Sequence, residues 1–402
     1  MNGPARRRAE AGPFAQARHL LRCGLRRVRD PTIGTTGAAA VIKYIGSKRA
    51  LVPWILSTVA EVGRVAPVRR VGDLFSGSAR VAHAFKAAGF EVVANDLMTY
   101  GHVLATALVA ADARHYSEDA LRGLLADLNR LTGRDGWFSA LYAEEARFFH
   151  PKNARRIQAV RDAIPDVCGS DDQLRAILLT SLMLAADRVD STTGVQMAYL
   201  KRWAPRALGD LNLSVPPLLA GPGWSLQGEA QAAAEAVEVD LVYLDPPYNQ
   251  HSYLGNYHLW ETLVLWDCPP TYGVARKRLD CRTRKSAFNH KGSAPQALRS
   301  LVAALRADHV VVSFSNEGYL TAADIEDCLG DGRFVVRLQR EHPRYIGSRI
   351  GIYSPGGVKV GSVSHTRNVE YLFVATRRRP VYDALSHAAP AAGYHPRPVP
   401  GV

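Results

Sequence analysis

The sequence predicts an α/β protein built on a doubly wound, mostly parallel sheet into which a long helical region is inserted. Two observations carry that expectation. Apolar β-prone runs that end in a turn and then a helix occur at Val68 to Ala82 and again at Leu241 to Val264. From Gly101 to about Gly223 that alternation gives way to helical apolar spacing. With 402 residues and 47% hydrophobic composition, the chain can bury a large core.

The first 40 residues are rich in Arg, Ala and Gly without a long apolar stretch, so they read as a flexible basic tail, or as a translated leader before a working chain that starts near Val41. In Val41 to Arg49, Gly46 and Ser47 permit a tight turn into an amphipathic helix over Leu51 to Val62. Lys48, with Tyr44 before it, stands where that helix could receive an anion; a plain helix start with solvated cations fits the same residues.

Val68 to Ala82 reads as strand, turn and helix. Asp73 stands before a small-residue turn over Phe75, Gly77, Ser78 and Ala79, in which Ser78 and Ala79 are small enough for a ligand to approach the backbone. A second strand over Phe90 to Ala94 ends at Asn95-Asp96, where an acid can take both hydroxyls of a ribose. A nicotinamide cofactor uses the same device, so these residues point only to a cofactor that contains adenosine.

Helical spacing in the inserted region covers Ala120 to Leu131, Trp137 to Phe149, Ala154 to Ile164 and Gln173 to Arg188. The region closes with Lys201, Arg202, Trp203 and Arg206, cations interleaved with an aromatic, as phosphate contact and base stacking require. A solvated amphipathic face is the competing reading.

Leu241 to Leu244 is a short apolar strand cut off by Asp245-Pro246-Pro247-Tyr248. Two prolines fix the turn and donate no N–H, which leaves a stiff corner holding a carboxylate, a carbonyl and an aromatic ring. Asp245 and the Pro246 carbonyl can accept the two N–H groups of a ring amine while Tyr248 stacks on its face, a description that suits an adenine taken out of a helix. Tyr253 and Tyr257, on a stretch expected to be mobile, are further stacking candidates. The cation-rich segment Tyr272 to Lys291, with Arg276, Lys277 and Arg278, reads as a self-repelling loop that phosphates would order. Strands are expected at His309 to Phe314, Arg333 to Glu341 and Asn368 to Ala375, and a disordered tail at 379–402.

A formal net charge of +13 points to a polyanionic partner, and no apolar run has the roughly 20 residues needed to span a bilayer. Five scattered cysteines support neither a metal site nor a disulfide framework, and they suit a reducing cytoplasm.

Taken in order, Tyr44-Ile45-Gly46-Ser47-Lys48, Phe75-Ser76-Gly77-Ser78-Ala79, Asp96 and Asp245-Pro246-Pro247-Tyr248 resemble the motifs of the Dam-type, or α-group, adenine-N6 DNA methyltransferases. The resemblance runs from about Ile42 to Thr376. It implies a Rossmann-like class I methyltransferase sheet formed by residues 41–100 and 224–378, with residues 101–223 recognising the DNA target. It also implies S-adenosylmethionine held by Tyr44, Lys48, Asp73, Phe75, Gly77, Ser78, Asp96 and Glu229, and adenine held by Asp245, Pro246 and Tyr248, without a metal. Duplex DNA is the implied substrate of a monomeric cytoplasmic, nucleoid-associated enzyme, which is either paired with a restriction endonuclease or an orphan. Methylation of RNA adenine or of cytosine-N4, and a catalytically inactive DNA-binding relative, are the competing functions.

Overall fold

Residues 42–46, 48–343, 352–353, 359–361 and 367–388 are described by a computed structural model of the chain. The expected tail before Val41, Ser47, most of the Gly-rich connection after Pro343 and everything past Ala388 lie outside the described residues.

Strands β1 (Arg70–Asp73), β2 (Glu91–Asp96), β3 (Gly223–Gln227), β4 (Leu241–Leu244), β7 (His309–Ser315), β8 (Phe334–Pro343) and β11 (Arg367–Thr376) form a seven-stranded sheet in the order β3-β2-β1-β4-β7-β11-β8. Only β11 runs against its neighbours. The remaining strands are short: β5 (Thr271–Tyr272) pairs with β6 (Lys277–Arg278), and β9 (Ile352–Tyr353) with β10 (Lys359–Gly361).

Alternation along the central strands divides the core into two layers. Leu241 and Tyr243 of β4, Val311 of β7, and Leu372 and Val374 of β11 pack on one face. Val242, Leu244, Val310, Val312, Phe314, Phe373 and Ala375 pack on the other. Because both faces are covered, these strands are apolar throughout, as buried parallel strands must be. The second face is closed by helices Ala230–Ala236, Ala294–Ala304 and Ala322–Leu329. The first is closed by Val52–Val65, Arg80–Ala87 and the whole inserted region, including Glu118–Arg130, Pro151–Cys168 and Asp172–Arg188.

The inserted helices therefore share one core with the sheet. Leu182, Met183 and Ala186 are buried in the same cluster as Ile55 and Val71. After β2, helix Thr99–Ala105 continues into a π-helical turn, Thr106–Ala110.

Three expectations are corrected. The stretch behind the central motif is already helical at Tyr253, in a helix running to Leu265 with a kink at Tyr257 (φ −133°, ψ 29°). The tail from 379 opens with a helix, Arg379–Ala388, because Val381 and Leu385 stand one turn apart and bury a stripe against the core. The cation-rich loop is folded, for reasons given below.

Candidate active site

The strand order reverses between β2 and β4 on either side of β1, and open sheets of this kind place ligands at the carboxyl ends of the strands beside such a point. Asp73 ends β1, Asp96 ends β2 and Asp245 follows β4. These acids line one cleft of about 880 Å³, together with Tyr44, Lys48, Phe75, Gly77, Ser78 and Glu229.

The turn after β1 is built for close approach. Gly77 has φ +52°, and a Cβ there would lie 3.2 Å from the Tyr44 ring. Ala79 also takes a left-handed conformation (φ 58°, ψ 13°), which costs an alanine roughly 1–2 kcal/mol relative to its usual basins. Asp96 fastens this turn: Oδ2 accepts the Gly77 N–H at 2.7 Å and Oδ1 accepts the Met98 N–H at 2.8 Å. Gly101 permits the arrangement, since a Cβ there would stand 2.6 Å from Asp96 Cγ. Burial pushes the Asp96 carboxyl up to about 6, while those two N–H groups pull the other way.

Asp73 is 1% exposed. Burial, with the Asp245 charge added to it, raises its pKa well above the ordinary carboxylate value, against the N–H groups of Phe75 and Ala82. Its Oδ1 has no hydrogen-bond partner among the described residues. Buried carboxylate oxygens are rarely left so, and a cation from a ligand would satisfy this one.

At the other side of the cleft, Lys48 Nζ lies 3.0 Å from Asp245 Oδ1, with the two side chains 7% and 16% exposed. Burial opposes the ammonium charge, but Asp245, Glu370 and Tyr248 outweigh it and hold Lys48 above its ordinary pKa. For Asp245, burial raises the pKa and Lys48 opposes the rise. Pro246 is buried, Pro247 lines the cleft, and Tyr248 packs edge-on against Phe314 with ring centroids 5.9 Å apart. The Tyr248 carbonyl accepts the Tyr319 N–H at 2.8 Å, which fixes the corner to the segment after β7.

The sequence placed Lys48 with the cofactor residues; the structure keeps it in the same cleft and pairs it with Asp245. Tyr44 lies in a stack, parallel to Tyr253 at 5.2 Å and nearly so to Tyr257 at 4.5 Å. Tyr257 is 1% exposed and its hydroxyl accepts the Ile45 N–H, so it braces Tyr44 and cannot reach DNA. Tyr253 lines the cleft.

The cation-rich loop also differs from expectation. Arg278 is 5% exposed, donating to both oxygens of Asp267 at 2.7 Å and to Asp280. Arg276 pairs with Glu145 at 2.6 Å, and Arg284 with the fully buried Glu261 at 3.1 Å. Most of these carboxylates come from other parts of the chain, so counting acids within the loop missed the neutralisation that folds it. Lys277 is half-buried. At the end of the inserted region, Arg206 is tied to Asp190 at 2.8 Å and the Arg147 guanidinium lies over the Trp203 ring, whereas Lys201 and Arg202 are exposed.

Sequence reasoning missed Arg80, Arg284 and Asn289, which also line the cleft. Arg80 directly follows the turn and was within reach of the motif. Arg284 and Asn289 had no local signal: Phe288 meets Phe75 edge-on at 5.4 Å, and this long-range contact brings them in.

A model of the D12 class N6 adenine-specific DNA methyltransferases matches residues 44–306. The chain is 27% identical over 308 residues to the modification methylase StsI of Streptococcus sanguinis, covering 72% of this chain and 46% of that protein. It is 30% identical over 305 residues to the type II methyltransferase M.FokI of Planomicrobium okeanokoites, covering 72% and 46%. Against the type II methyltransferase M.NlaIII of Neisseria lactamica it is 28% identical over 302 residues, covering 71% and 87%. The chain thus spans less than half the length of the first two relatives and most of the third. With strand-end acids, glycine turn and Asp-Pro-Pro-Tyr corner gathered at one cleft, and a family match over most of its length, the chain belongs to the D12 class N6 adenine-specific DNA methyltransferases.

Proposed function

We propose that this protein transfers a methyl group from S-adenosylmethionine to N6 of adenine within a specific sequence of duplex DNA, as the modification methylase of a restriction-modification system. The observation that supports this reading best is the opening of Asp245 and Asp73, on neighbouring strand ends, into one cleft. One acid suits an amino nitrogen to be methylated, the other the cationic end of the methyl donor.

The cleft fits that donor. Asp73 Oδ1 offers a buried acceptor to an ammonium, and the turn at Gly77 lies too close to the Tyr44 ring to take a side chain there without displacement. Asp96, already bonded to two N–H groups, has lone pairs left for ribose hydroxyls. When bound, S-adenosylmethionine supplies an electrophilic methyl group on a sulfonium.

The protein's own part is to make adenine N6 a better nucleophile. That nitrogen's lone pair is delocalised into the ring. Lys48 occupies Asp245 Oδ1 and leaves Oδ2 to accept one N–H, while the Pro246 carbonyl accepts the other. Holding both protons favours a pyramidal nitrogen with its lone pair turned outward, and rigid placement supplies much of the remaining acceleration. The Lys48 charge opposes the burial that raises the Asp245 pKa. Tyr248 presents a ring for stacking, which offsets part of the few kcal/mol needed to flip the base.

Lys201 and Arg202, exposed where the inserted region ends, are the cations we assign to DNA phosphates, and the inserted helices to target recognition. The test is radiolabelled methyl transfer to duplex DNA, ribosomal RNA and protein, followed by long-read sequencing of the methylated DNA. N6-methyladenine in one sequence context is expected. Transfer to RNA or protein but not to DNA would overturn the reading.

A further inference from the structure

Donor and base would share one cleft, so the approach of the methyl group to the amino nitrogen depends on what holds the base corner against the cofactor turn. The segment from Tyr248 to Ser252 follows β4 and reaches helix Tyr253–Leu265 without belonging to either. Gln250 and His251 on it are exposed, so packing alone does not fix its path. Asn289 does. It lines the cleft and is 5% exposed, and its side-chain amide donates to the carbonyl of Asn249 at 2.9 Å and to that of His251 at 3.3 Å. Its Oδ1 accepts the Ser286 N–H at 3.2 Å, so both ends of the amide are bonded to backbone groups. Its neighbour Phe288 is the residue that meets Phe75 in the turn after β1.

We infer that Asn289 is a positioning residue for methyl transfer: it ties the segment between Tyr248 and Tyr253 to the short helical turn Ala287–Asn289, which packs on the cofactor turn at Phe75. This rests on the reading of the cleft as an adenine methylation site. An asparagine suits the task because its two diverging N–H groups can span carbonyls two residues apart, whereas an ionised aspartate of the same shape donates nothing. The rate depends steeply on such placement, since a displacement of about 1 Å can cost roughly 100-fold. Affinity for duplex DNA comes mainly from phosphate contacts and should not follow the rate.

The experiment measures single-turnover methyl transfer to duplex DNA at saturating S-adenosylmethionine for the wild type, Asn289→Asp, Asn289→Ala and Ser293→Ala, with donor affinity, DNA affinity and thermal midpoint alongside. Ser293 donates to the Ala287 carbonyl at 2.7 Å, so Ser293→Ala weakens the same turn without touching the segment. Both Asn289 variants should transfer about 30- to 100-fold more slowly while binding donor and duplex within about three-fold, and Ser293→Ala should stay within about two-fold of the wild-type rate. Asn289→Ala buries no charge, so it carries the test where the carboxylate of Asn289→Asp prevents folding. A folded Asn289→Ala protein with a rate within about three-fold of the wild type would overturn the inference and leave the methylation reading standing. So would a rate loss that Ser293→Ala shares, or one matched by an equal loss of donor or DNA affinity. Absence of methyl transfer to duplex DNA by the wild type would overturn the reading of the cleft, and this inference with it.

Discussion

Replacing Lys48 by Met should remove the charge that opposes the burial of Asp245 and so deepen the cost of burying its carboxylate. The ammonium lies 3.0 Å from the carboxylate, and both side chains are largely buried. At an effective dielectric of about 20, a unit charge pair at that distance interacts by roughly 5–6 kcal/mol. Burial already holds the folded-state Asp245 pKa above its ordinary value, and without Lys48 it should rise further, whereas in the unfolded chain it stays near 4. The folded pKa then lies above the unfolded one, so stability is intact below about pH 4 and is lost as pH rises toward the raised folded value. The variant should be about 3–5 kcal/mol less stable than the wild type at pH 7, the range for breaking one side of a buried ion pair. The assay is urea denaturation at intervals from pH 4 to 8. The double variant Lys48→Met with Asp245→Asn carries no buried charge, so it should recover most of the loss and remove the pH dependence. A Lys48→Met protein as stable as the wild type across that range would refute the claim that Lys48 balances Asp245. So would a double variant no better than the single one.

Asp245→Asn keeps an oxygen for Lys48 but loses the negative charge, so it should abolish most methyl transfer to duplex DNA while leaving S-adenosylmethionine affinity within a few-fold; turnover near the wild-type rate would move the catalytic acid elsewhere. Arg278→Ala strands Asp267 and Asp280, which are partly exposed, and should cost about 1–3 kcal/mol of stability without changing the salt dependence of DNA binding; a slope lowered by about 0.9 would restore Arg278 as a phosphate contact. Ala79→Gly relieves a left-handed alanine, so its thermal midpoint should match or exceed that of the wild type, although a buried Ala→Gly change ordinarily destabilises; a fall of several degrees would mean that the turn is not strained.

The acids at the strand ends were legible in the sequence because the evidence for them is local. A buried strand is an apolar run of a few residues, its end is marked by small residues or proline, and whatever acid stands there is carried to the sheet's carboxyl edge. Asp73, Asp96 and Asp245 needed nothing further, and the same logic placed Phe75, Gly77 and Ser78 at their cleft. Charge pairing obeyed no such rule. Arg276, Arg278 and Arg284 look like a phosphate-binding loop until the fold supplies Glu145, Asp267 and Glu261 from other elements, and nothing local in the sequence shows that Lys48 pairs with Asp245. Tyr257 was misread for the same reason, since only the packed helix shows its ring lying against Tyr44. A sequence specifies which groups are ionisable or aromatic. Whether each faces solvent, a ligand or an opposite charge depends on contacts between residues far apart in the chain, and only the tertiary structure decides those contacts.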